Sequence, residues 1–146
     1  MSKFLCSLLG IVFLVFSAQA QVQPADPIAG RWKSDAQFIQ KNETPTPEYF
    51  WVGPISGDIT PTGKITMASA NGCNFSGLLT PVNANKALFN GAINVTGCKH
   101  DLMNRTYTID VTYIGGNLKI IANNKFISGG RIRASFDITT TLSKST

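Results

Sequence analysis

The chain is 146 residues long, with a formal net charge of +5 that falls to +4 without Lys3. That length makes one domain, large enough to bury about two-thirds of its unfolded surface in a self-sufficient core. The basic excess is dispersed. Arg131 and Arg133, with Lys125 upstream, come nearest to a cluster, so solvated faces are expected and a nucleic-acid partner is not.

The first segment carries a specific signal. Lys3 supplies a positive start, residues 4–16 are apolar apart from Ser7 and Gly10, and Ala18-Gln19-Ala20 places small residues where a signal peptidase reads them. This is the pattern of a secretory signal peptide over residues 1–20, cleaved after Ala20. Residues 21–146 then form a single exported domain, periplasmic or secreted. The apolar run is shorter than the ~20 residues a membrane helix needs, and no second run of that kind follows, so no membrane span is expected after cleavage. Cys6 lies inside the run and leaves with it. Cys73 and Cys98 remain. In an oxidising compartment an even pair forms a disulfide, and closing that loop stabilises the fold by about 3 kcal/mol. A metal site needs about four ligands, whereas His100 is the only histidine. No metal and no cofactor are expected.

Residues 21–28 contain Pro24 and Pro27 and read as an extended lead-in. A short strand follows at 30–33, and 36–41 read as a helical turn or a short strand. Pro45 and Pro47 make 42–47 a loop. Tyr49-Phe50-Trp51-Val52 is a strand that Gly53-Pro54 ends, and Gly57-Asp58 and Pro61-Thr62-Gly63 are turn material. Ile65 and Met67 share one face of the next strand. Asn71-Gly72 is a strong hairpin signal. It leads to a strand with Cys73, Phe75 and Leu79 on one face, and then to one with Phe89, Ile93 and Val95.

Residues 105–113 are the clearest strand: Tyr107, Ile109, Val111 and Tyr113 alternate with Thr106, Thr108, Asp110 and Thr112. Gly115-Gly116-Asn117 turns the chain into a strand at 118–122. A loop is expected through Asn123-Asn124 and Ser128-Gly129-Gly130. In the last strand Ile132, Ala134, Phe136 and Ile138 alternate with Arg131, Arg133, Ser135 and Asp137. About eight short alternating strands with turns between them predict an all-β fold. Short connections make sequential strands antiparallel neighbours, so the expected architecture is a small up-and-down β-barrel with one disulfide.

Ile28-Ala29-Gly30-Arg31-Trp32 opens the domain. A Gly-x-Trp just before the first strand of such a barrel resembles the calycins, which include the lipocalins, the avidins and the lipocalin-like bacterial proteinase inhibitors. The resemblance implies a meander barrel with Trp32 plugging one end and a cavity opening at the other. It also implies an arginine stacked on that tryptophan from the end of the last strand, where Lys144 is the only basic residue here.

The side chains expected to point inward, and so to line any ligand cavity, are Phe75, Phe89, Tyr107, Ile109, Val111, Tyr113 and Phe136. An eight-stranded barrel either fills this space with side chains or holds one small ligand. Tyr49, Phe50 and Trp51 form the densest aromatic run and suit a protein interface if exposed. Hydrolysis needs a nucleophile, a base and an orienting group. His100 has Asp101 beside it, but sequence neighbours on a strand point apart. Sugar cleavage needs two carboxylates facing one cleft; Asp110 and Asp137, on the polar faces of their strands, would supply them if those strands were adjacent, but two solvated surface acids are expected. Asn42, Asn74, Asn94 and Asn104 each begin an N-x-Ser/Thr sequence.

The expected function is therefore a non-catalytic binding module of lipocalin-like type, whose partner is a small apolar ligand or another protein. The alternative is an inhibitor or immunity-type factor acting through surface loops. A small hydrolase comes third.

Overall fold

The computed structural model describes residues 27–42, 48–82 and 85–146, and within them the side chains of all but 39–42, 48–50, 85–86, 126–128 and 132–134. The expected signal segment, residues 1–20, lies outside the described residues, as does 43–47.

Eight strands form one closed antiparallel barrel in sequence order. They are β1 (Gly30–Asn42), β2 (Glu48–Ile59), β3 (Lys64–Ser69), β4 (Asn74–Val82), β5 (Asn85–Thr96), β6 (Thr106–Ile114), β7 (Asn117–Ser128) and β8 (Arg131–Lys144). One 3-10 turn, Asp101–Met103, interrupts the β5–β6 connection. The barrel closes where β1 meets β8, from Trp32↔Lys144 to Asn42↔Ala134.

Alternation creates the wall. Phe75 and Leu79 on β4, Phe89, Ile93 and Val95 on β5, and Tyr107, Ile109 and Val111 on β6 are buried. Ser76, Asn90, Asn94, Thr106, Thr108 and Asp110 between them are exposed. This is the reverse of a membrane barrel, whose outward face is apolar.

Several expected breaks are interior to strands. Gly53-Pro54 does not end β2, and Gly57-Asp58 is not a turn. Pro54 is tolerated because only its carbonyl is used on the β3 side, where it accepts the Ala70 amide at 3.2 Å. Residues 36–41 continue β1 as strand, with Trp32, Ala36 and Phe38 all turned inward and buried. Asn123-Asn124 is likewise not a loop. Both amides reach across to neighbouring strands: Asn123 Nδ2 donates to Asp137 Oδ1, and Asn124 Nδ2 donates to the Thr106 carbonyl at 2.8 Å.

Gly77 and Gly91 occupy inward positions on β4 and β5, and there the two backbones lie close. A Cβ on Gly77 would lie 2.1 Å from the Ala92 carbonyl oxygen, and one on Gly91 would lie 2.0 Å from that of Leu78. Glycine in a strand interior lets two backbones approach closely. Gly91→Ala is expected to lower unfolding stability by about 3 kcal/mol or more, the upper range of overpacking costs. Urea denaturation checks this, and a variant as stable as the parent would contradict the close approach.

Candidate functional site

The seven expected cavity residues all lie on the inner wall. Phe75, Phe89, Tyr107, Ile109, Val111 and Phe136 are buried, and Tyr113 is partly buried against the same core. Phe38, not singled out in the sequence, sits at the centre of the aromatic packing. Its ring lies 5.9 Å from Phe75, 6.2 Å from Trp51 and 6.3 Å from Tyr107, centroid to centroid. These are ordinary aromatic pair distances.

What the inner wall encloses is small. Among the described residues, an internal void of about 20 Å³ lies between Ile55, Met67, Phe75, Ile93, Ile109 and Thr140. A drug-sized ligand site needs about 300 Å³ or more, while 20 Å³ is the scale of one water. Thr140 is the polar member of this lining, and its hydroxyl donates to the Asp35 carbonyl at 2.7 Å. It occupies an inward slot in the Phe136, Ile138, Thr140, Leu142 series, a signal that was present in the sequence.

Trp32 is fully buried where β1 begins. Its indole N–H donates to the Ile28 carbonyl at 2.8 Å, and the Lys144 ammonium stands 5.6 Å from its ring centroid. This is within reach of a cation–π attraction.

At the opposite end Cys73 and Cys98 are joined, with an S–S distance of 2.05 Å. The bond ties the β3–β4 turn to the β5–β6 connection. Asn104 holds the same connection: its Oδ1 accepts the Cys98 amide at 2.9 Å and its Nδ2 donates to the Cys98 carbonyl at 3.3 Å. Met103 is buried beneath, and the Tyr107 hydroxyl donates to its carbonyl at 3.1 Å. Burial pushes the Tyr107 phenol up to about 12, with Arg105 pulling it down and Asp137 adding to the rise.

Of the aromatic interface run, Trp51 packs half-buried on Phe38, while the Tyr49 and Phe50 side chains lie outside the described residues. Val52 beside them is 55% exposed. His100 and Asp101 are exposed in the β5–β6 connection. Asp110 on β6 and Asp137 on β8 are not on adjacent strands, because β7 runs between them. No group of three or more His, Cys, Asp or Glu side chains gathers among the described residues. Lys125 and Arg131 are exposed near the β7–β8 turn, and the Arg133 side chain lies outside the described residues. Asn74 and Asn94 are exposed and Asn104 is half-buried, while the Asn42 side chain lies outside the described residues.

No protein-family model, curated protein or solved structure matches this chain.

Two outcomes follow for this end of the barrel. Replacing both Cys73 and Cys98 with alanine should cost about 3 kcal/mol of unfolding free energy, the value for a loop of this length; equal stability with and without the bond would contradict it. Alkaline titration followed at 295 nm should show one of the three tyrosines ionising near 12. The unfolded phenol ionises near pH 10. The stability gained by keeping Tyr107 neutral is therefore complete below pH 10 and is lost as pH rises toward 12, by up to about 3 kcal/mol.

Proposed function

We propose that the protein is an exported, non-catalytic binding module that works from its outer surface and end loops and encloses no ligand. One observation carries this reading: among the described residues the inner wall leaves a void of about 20 Å³. A carrier of lipocalin type needs a hollow interior at least tenfold larger.

Export is supported by the signal pattern of residues 1–20 and by a disulfide whose half-cystines, Cys73 and Cys98, are both buried. Such bonds persist in oxidising compartments. The calycin resemblance draws support from Lys144, which stands over the Trp32 ring where the lipocalins place an arginine. On this reading the chain shares the plugged end of that architecture and not its cavity.

Native mass spectrometry of the protein purified from its own envelope or medium tests both parts. The expected spectrum shows a chain beginning at Gln21 that retains no small molecule in its interior and is either free or bound to a second macromolecule. An apolar small molecule held stoichiometrically after buffer exchange would contradict the filled interior, and an unprocessed start at Met1 would contradict export.

A further inference from the structure

The outer wall of β6 and β7 carries an open concavity of about 550 Å³, lined by Thr106, Thr108, Asp110, Ile121, Asn123, Asn124 and Lys125. The register sets Thr108 opposite Asn123 and Asp110 opposite Ile121. On the β5 side the short Ala92 lies opposite Thr108, so the floor is low and the longer side chains make the walls.

The hydrogen bonds within this wall leave it rich in acceptors. Asn123 gives an amide proton to Asp137, and Asn124 gives one to the Thr106 carbonyl at 2.8 Å. The Thr106 hydroxyl donates to Asn94 Oδ1 at 2.7 Å. The amide oxygens of Asn123 and Asn124 and the lone pairs of Thr106 therefore remain as acceptors. The Thr108 hydroxyl and the Asp110 carboxylate have no hydrogen-bond partner among the described residues. The lining holds one carboxylate and one ammonium, Asp110 and Lys125, whose formal charges cancel. Ile121, directly across from Asp110, is 45% exposed and offers an apolar platform.

We propose that this groove binds a neutral polyhydroxylated ligand, a segment of an uncharged oligosaccharide. Sugar hydroxyls donate to the acceptor row along Thr106, Thr108 and Asp110, and a C–H face of the ring rests on Ile121. The cancelled charge gives no preference to an anionic or a cationic ligand. The proposal rests on the reading that the barrel binds from its outside, and it names the place and the class of partner.

The test is a titration of the purified ¹⁵N-labelled protein with maltohexaose, cellohexaose and chitohexaose, and with spermidine and hexaglutamate as charged controls. Saturable shifts are expected at the amides of 106–110 and 121–125 with at least one neutral sugar. Thr108→Lys and Asp110→Ala should each weaken that binding by about tenfold, the equivalent of one or two hydrogen bonds. Both sites are exposed, so the other amide signals should stay in place and report an intact fold. Absence of saturable shifts in this groove with all three sugars overturns the proposal, and so does stronger binding of either charged control there. A protein partner found elsewhere on the barrel, with no sugar binding, would overturn this site and leave the outer-surface reading standing. A small molecule inside the barrel would overturn that reading itself.

Discussion

The pairing of the first strand with the last governs the rest of this structure. β1 and β8 lie at opposite ends of the chain, yet their ladder turns an eight-stranded sheet into a closed wall. Closure fixes the lumen, and eight strands leave a lumen just wide enough for side chains to fill. It also removes the edges that an open sheet would offer to other chains. The β1–β8 register runs through Lys33↔Ser143 and resumes at Ala36↔Thr140. Across that lapse the Thr140 hydroxyl takes the Asp35 carbonyl, so a side chain replaces a ladder hydrogen bond and the group is not left buried and unpaired.

Given that lumen, the inward residues decide what the barrel can hold. Phe38, Phe75, Phe89, Tyr107 and Phe136 are large, and all five are buried. Each end carries different chemistry. At one, Trp32 is fixed by its indole hydrogen bond and covered by Lys144. At the other, the disulfide and the Asn104 clasp hold Met103 over the core. With the described inner wall packed by these side chains, the proposed recognition falls to the outer wall, where hydroxyl and amide side chains predominate between β3 and β8.

Much of this wall was legible in the sequence because alternation is a local property. The strand from Thr106 to Ile114 declares itself through Tyr107, Ile109 and Val111, and Asn71-Gly72 marks its hairpin without help from tertiary structure. At Gly53-Pro54, Gly57-Asp58 and Asn123-Asn124 the local sequence predicts breaks where the strands run on, for one shared reason. Each consists of residues that favour turns in isolation but have a specific use across strands. Pro54 faces a side where its missing N–H is not needed, Gly57 lets Met67 approach closely, and the two asparagines bond to β8 and β6. Register and shear decide such matters, and neither can be read from one strand alone. The same holds for the sites. That inward side chains cluster follows from periodicity. That the described ones leave a water-sized void between them depends on how eight strands stagger. The facing of Thr108 with Asn123, and of Lys144 with Trp32, appears only once the ladders are assembled.

Barrel closure is most directly tested by nuclear Overhauser contacts and amide exchange across the β1–β8 seam. Cross-strand contacts between Ala36 and Thr140 and between Lys33 and Ser143, with slow exchange along both strands, are the expected result. Rapid exchange along β1 with no contacts to β8 would mean an open sheet with a solvent-accessible inner face. A filled barrel binding from its outside would then be the wrong description of this protein.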